Sequence, residues 1–286
     1  MDRYENIFEK ISEEYYNLTT SEKKVADYLL SHQSKSQNLS ISQLAEAGGV
    51  AEATVSRFCR RLGYKGYNIF RLAMAKTDIG RDDISNPLSG EVLDSDSFSD
   101  VCSKLYTANS NAMVQTMSLA REEDYKKAAD ILEQADKVLC MGQGGSMIMA
   151  QEAAHLFSTI FGKYFAVPDA HTQMVYAVNV TERDAVLFFS YSGATKDLVE
   201  TLSQVKARGT KVILITHFPK CPGAEYADVV LQCGADEGPL QLGSIGARVA
   251  QLFLLDILFS EVCRRNLDQC RERRSCLAEA MVDKHL

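Results

Sequence analysis

Apolar residues recur at helical spacing through the first 77 positions. Val25, Ala26, Tyr28, Leu29 and Leu30 follow Thr19-Thr20-Ser21-Glu22, whose Thr-x-x-Glu spacing is that of a capping box, so a helix starts there. After Ser40, Ile41, Leu44 and Ala45 share one helical face, Gly48-Gly49-Val50 interrupts, and Val55, Phe58, Cys59 and Leu62 form the apolar face of the next helix. Between 78 and 100 the period vanishes. Arg81-Asp82-Asp83-Ile84-Ser85-Asn86-Pro87 and Asp94-Ser95-Asp96-Ser97 are polar and turn-forming, the composition of a linker.

Beyond the linker a helical pattern over 101–135 gives way to short apolar runs separated by amphipathic stretches. The predicted strands are Lys137–Met141, Tyr164–Val167, Ala185–Ser190, Lys211–Thr216 and Asp228–Cys233. Strands alternating with helices imply a parallel sheet between helix layers, with ligands beyond the carboxyl ends of the strands. The chain is therefore predicted to have two domains: all-α over 1–77 and α/β over 101–286. Val249–Val262, carrying Leu252, Phe253, Leu255, Ile257, Leu258 and Phe259, is apolar around its whole circumference and predicts a helix that helps bury a subunit contact.

Charge follows the same division. The 286-residue chain has a formal net charge of −7, but up to Thr77 eleven Lys/Arg stand against nine Asp/Glu. An acidic total argues against indiscriminate coating of nucleic acid and leaves room for a local basic surface. Eight cysteines lie scattered without any C-x-x-C, the start Met-Asp-Arg-Tyr-Glu has no signal-peptide pattern, and no apolar run approaches the ~20 residues of a membrane span. These features predict a cytoplasmic protein with structural thiols and no metal site.

Two segments carry chemistry. The first is the helix pair after Ser40: Ala45, Gly49 four residues on and Val55 six further match helix-turn-helix spacing, with a small contact residue, a glycine turn and a branched lock. Thr54, Ser56, Arg57, Arg60 and Arg61 are placed on the outward face of the second helix, with Lys65 following. From Val50 to Thr77 six basic residues stand against one acidic, Glu52. A basic run is commonly just a solvated face; here it falls on the helix that such a motif lays in the major groove, so Thr54, Ser56, Arg57, Arg60, Arg61 and Lys65 are the predicted DNA contacts.

The second is Ser190-Tyr191-Ser192-Gly193-Ala194-Thr195, a hydroxyl-rich turn between an apolar strand and an amphipathic helix. Unpaired N–H groups and the positive helix end favour an anion there, the hydroxyls of Ser190, Ser192 and Thr195 can donate to it, and Gly193 admits close backbone approach. Helix capping is the simpler role for any one of these hydroxyls. An equivalent loop, Gln143-Gly144-Gly145-Ser146, follows the first strand. Neither loop has the spacing of a dinucleotide fingerprint or a Walker A motif, so no nucleotide cofactor is expected and a small phosphorylated ligand fits better. Asp169 and His171 lie beyond a strand end, where Asp169 is either a pocket residue or a helix cap, and His155 reads as a core residue.

Together these segments resemble the RpiR-type family of bacterial transcriptional regulators, which join a helix-turn-helix to a SIS (sugar isomerase) domain. The resemblance rests on Ile41-Ser42-Gln43-Leu44-Ala45, Val50 to Phe58, Leu62-Gly63-Tyr64-Lys65-Gly66-Tyr67 and Ser190 to Thr195. It implies a phosphosugar effector controlling operator binding and sugar-catabolic genes, with phosphate on Ser190, Ser192 and Thr195 and sugar hydroxyls near Gly144 and Ser146. It also implies a carboxylate at Glu237 accepting sugar hydroxyls, and a homo-oligomer, dimer or tetramer. Ala51 departs from the family, where serine commonly caps the recognition helix. The rival readings are a phosphosugar isomerase with an accessory helical domain, for which His171 and Glu237 are nominal bases without an evident catalytic pair, and a sugar-phosphate-binding adaptor.

Overall fold

A computed structural model describes residues 6–78, 92–235 and 245–282. The chain divides into two compact units, whose sequence boundary falls between Lys104 and Leu105.

The first unit is helical: α1 (Ile7–Glu14), a 3-10 turn (Tyr15–Asn17), α2 (Thr20–Ser31), α3 (Gln33–Ser36), α4 (Ile41–Ala47), α5 (Glu52–Arg61) and α6 (Tyr67–Asp78). Its core joins Ile7, Ile11, Val25, Leu29, Leu44, Val55, Phe58 and Phe70, drawn from every long helix. The predicted capping box is present: the Thr19 N–H donates to the Glu22 carboxylate at 2.9 Å and the Glu22 N–H to the Thr19 hydroxyl at 3.4 Å. Ser40 and Gln43 form a second box at α4. Between α4 and α5, Gly49 has φ +61°, and the N–H groups of Gly49 and Val50 close on the carbonyls of Glu46 and Ala45 at 3.1 and 2.9 Å. That pairing is a Schellman motif, which needs a left-handed residue where a side chain would be strained.

Glu22 is 5 % exposed and also receives the Arg61 guanidinium, Nε at 3.3 Å. Burial pushes its carboxyl pKa up, but the Thr19 hydrogen bonds and Arg61 outweigh this and hold it below the ordinary value. The unfolded state then binds the proton more tightly than the folded state. The resulting stability is present above the unfolded pKa of about 4.3 and is lost as pH falls through the folded value. Unfolding of this unit, followed by calorimetry, is expected to shift to lower temperature between about pH 5 and pH 3, and Glu22→Gln should flatten that shift; an equally steep shift in the variant would refute the role given to this carboxylate.

The long helix α7 (Phe98–Leu119) is followed by α8 (Glu122–Gln134), β1 (Val138–Gly142), α9 (Gly145–Ser158), β2 (Tyr164–Ala166), α10 (Ala170–Ala177), β3 (Ala185–Phe189), α11 (Lys196–Lys206), β4 (Lys211–Thr216), a 3-10 turn (Pro222–Tyr226), β5 (Val229–Gln232), α12 (Ile245–Arg265) and α13 (Leu267–Met281). The strands form one parallel sheet in the order β2-β1-β3-β4-β5. Alternate strand residues face opposite layers. Cys140, Leu187, Phe189, Ile213 and Ile215 pack with residues of α8, α9 and α12. Leu139, Met141, Val186, Phe188 and Leu214 pack with Ala177, Leu198, Leu202 and Val205 of α10 and α11. Burial on both faces explains why β1 and β3 read as unbroken apolar runs.

Three expectations change. The helical pattern over 101–135 is two helices broken at Ala120 and Arg121, and the first starts at Phe98, where Ser97 and Asp100 cap each other. The apolar circumference of 249–262 is largely consumed within its own unit, because α12 packs between α8 and α9. Leu254, Leu255, Leu258, Phe259 and Val262 are buried there, whereas Leu252 stays 43 % exposed. His155 is exposed on α9 rather than in the core.

Candidate functional site

The helix-turn-helix comprises α4 and α5. The apolar face of α5 is Val55, Phe58 and Cys59, continued by Leu62, which turns Arg57 and Arg60 to solvent. Ser56 is half-buried and Lys65 is exposed just past the helix. Thr54 does not share the outward face: it is 6 % exposed, and its hydroxyl accepts from Arg57 Nη2 at 3.3 Å. The reason is helical spacing, since Thr54 and Phe58 are four apart and point to the same core. Arg61 is exposed but already engaged, donating to the Asn17 carbonyl at 2.8 Å and pairing with Glu22. Ala51 gives α5 no side-chain cap; instead the Ser42 hydroxyl of α4 donates to the carboxylate of Glu52 in the first turn of α5. Tyr67 is buried, with its hydroxyl on the Leu39 carbonyl at 2.9 Å, so it packs α6 onto the unit.

In the second unit the strand order reverses between β1 and β3, the point at which doubly wound sheets leave a crevice for ligands. Gly142 pairs with Phe189 across these strands, so the loops beginning at Gln143 and Ser190 emerge side by side. Ser190 is 5 % exposed, and its hydroxyl accepts from the Gly193 N–H at 3.2 Å; the half-buried Ser192 hydroxyl accepts from the Ala194 N–H at 3.3 Å. A hydroxyl that accepts from its own loop keeps its proton to donate outward. Thr195 is the N-cap of α11 in extended conformation, yet its side chain makes no capping bond. The arrangement offers hydroxyl donors and helix N–H groups to an anion.

Gly193 must be glycine. Its φ is +59°, and a Cβ there would stand 2.2 Å from Cys221 Sγ. Its carbonyl accepts from the Gly223 N–H at 2.8 Å, which ties the loop to the segment after β4. Tyr191 braces the other side. Its ring stacks on His217 with centroids 5.0 Å apart, and its hydroxyl donates to the Ala235 carbonyl at 2.8 Å. Across the strand pair, Gly144 has φ +55° and caps α9, with Ser146 half-buried in the first turn.

Asp169 proves to be a helix cap, its carboxylate accepting from the Thr172 N–H at 2.9 Å and the Thr172 hydroxyl at 2.7 Å, and these hydrogen bonds hold its pKa below the ordinary value. His171 is exposed beside it. Glu237 lies outside the described residues. Sequence reasoning missed Tyr191 and His217 as braces of the phosphate-type loop, although His217 follows directly on a strand end. It also missed Gln173, which is fully buried in α10 and hydrogen-bonded to the end of β1.

A helix-turn-helix with an arginine-bearing second helix, carried in one chain with a doubly wound sheet whose switch point bears a hydroxyl-rich loop, defines a DNA-binding regulator with a small-ligand domain. Residues 5–79 match the helix-turn-helix domain of the rpiR family and residues 131–261 match the SIS domain. An uncharacterized HTH-type transcriptional regulator of Haemophilus influenzae is 32 % identical over 282 residues, 98 % of each chain. The HTH-type transcriptional regulator RpiR of Escherichia coli is 30 % identical over 252 residues, covering 88 % of this chain and 84 % of that one. The fold also matches the Vibrio vulnificus NanR protein complexed with ManNAc-6P, with a TM-score of 0.85 and 24 % identity over 98 % of this chain and 99 % of that chain. The chain belongs to the rpiR family of helix-turn-helix transcriptional regulators.

Proposed function

We propose that this regulator controls sugar-catabolic genes, and that a phosphosugar held at the β1/β3 switch point, without being consumed, sets its operator affinity. The observation that carries the reading is the pairing of two loops at that point. The Ser190–Thr195 loop presents hydroxyls that accept from their own backbone and retain protons for a phosphate, and the loop from Gln143 to Ser146 stands alongside. The solved relative with ManNAc-6P supports this class of ligand. Arg57, Arg60 and Ser56 are assigned to the operator, with Lys65 on phosphate; Thr54 supports Arg57 from beneath, and Arg61 holds the unit together.

The working form is a cytoplasmic homo-oligomer, since helix-turn-helix proteins read paired half-sites. The exposed Leu252 with half-buried Phe253 and Ile257 on α12 supplies apolar surface for such a contact. Sedimentation as a monomer at micromolar concentration, with and without operator, would contradict it. No helix among the described residues is long and apolar enough to cross a membrane.

The reading is tested by recovering an operator from a random DNA pool, measuring its affinity across a phosphosugar series, and assaying each sugar for conversion. Linkage requires ligand and DNA to alter each other's affinity by the same factor. Turnover at an enzymatic rate with operator affinity constant at saturation would instead establish the isomerase reading.

A further inference from the structure

Gln173 has no solvent exposure, and a buried carboxamide needs each of its polar functions answered. It sits in the first turn of α10, which Asp169 caps, and its side chain returns across the carboxyl edge of the sheet. Nε2 donates to the Gly142 carbonyl at 2.9 Å and to the Val167 carbonyl at 3.0 Å, at the ends of β1 and β2. Two carbonyl acceptors use both N–H groups and decide which end of the carboxamide is nitrogen. The oxygen end must then accept, and it does so from Gln143 Nε2 at 2.9 Å. The orientation of Gln143 is settled in turn: one N–H is committed to Gln173, leaving the second N–H and Oε1 for other partners.

Gln143 is half-buried and is the first residue past β1. Gly142 is the last residue of β1 and pairs with Phe189, the last of β3, so Gln143 and Ser190 each begin the loop that leaves one of these two neighbouring strand ends. A phosphate held by Ser190, Ser192 and Thr195 would carry the rest of its ligand past this carboxamide. We propose that Gln143 reads the hydroxyl or amide pattern of the sugar, and that Gln173 is the positioning residue that presets it. Discrimination among phosphosugars then resides in this pair, whereas the loop hydroxyls recognise the phosphate common to all of them. A donor and acceptor fixed before binding reject a ligand whose groups are misplaced more sharply than a mobile side chain does. The inference rests on the effector reading above.

The test is calorimetric binding of inorganic phosphate, ribose 5-phosphate, glucose 6-phosphate, glucosamine 6-phosphate and N-acetylmannosamine 6-phosphate to the full chain, as wild type, Gln143→Ala, Gln173→Met and the double variant. Gln143→Ala should compress the spread of sugar-phosphate affinities by about 3–10-fold while leaving inorganic phosphate unchanged. Gln173→Met should compress it similarly, and the double variant should add nothing, because one residue acts through the other. A merely structural defect would weaken phosphate together with the sugars. Gln143→Ala carries the test alone if Gln173→Met fails to fold. A ranking untouched by Gln143→Ala overturns the inference and leaves the effector reading standing, and a ranking untouched by folded Gln173→Met overturns the positioning role. A wild-type protein that binds operator but none of the five probes overturns the effector reading and this inference with it.

Discussion

The double variant Arg57→Ala/Arg60→Ala is expected to lose about 30-fold or more of its operator affinity, since each base-edge contact is worth roughly 1–3 kcal/mol. Both side chains are exposed on α5, so their removal leaves the core of Val55, Phe58 and Leu62 intact, and circular dichroism should show an unchanged fold. Loss should be greatest for the specific operator and smaller for random DNA. Lys65→Ala provides the contrast: as a phosphate contact it should weaken all sequences alike and reduce the salt slope by about 1. Undiminished operator affinity in the folded double variant would remove α5 from the DNA interface.

Ser192→Ala is expected to abolish the effector response while leaving operator binding without ligand near normal. Coupling between ligand and DNA sites is typically about 1–3 kcal/mol, so a response of roughly 5–150-fold should disappear. Ser192 is the better target because its hydroxyl is half-buried and accepts from the N–H of the exposed Ala194, which water can satisfy. Ser190→Ala would instead leave the buried Gly193 N–H without its acceptor and disturb the loop itself. Fluorescence anisotropy of labelled operator, titrated with the phosphosugar that most affects the wild type, reads both quantities. A variant that still responds fully would exclude Ser192 from the effector site.

The amino-acid sequence determined whatever depends on neighbours a few residues apart. The Thr19–Glu22 box, the Gly49 turn and the five strands are local or periodic: a cap reaches three residues, a Schellman turn closes over six, and a strand buried on both faces is a continuous apolar run. The Ser190–Thr195 loop was legible for the same reason, because strand, turn and helix start are contiguous. Thr54 was misplaced outward although its spacing to Phe58 already put it in the core. The tertiary structure alone decided what depends on distant partners. Arg61 is drawn to Asn17 and Glu22, α12 is covered on two sides by α8 and α9, and Gln173 fixes Gln143 from 30 residues away. No pattern in the chain announces these contacts, because a buried polar or apolar group takes the partner that packing brings to it, and that partner is chosen only when the whole sheet and its helices have closed.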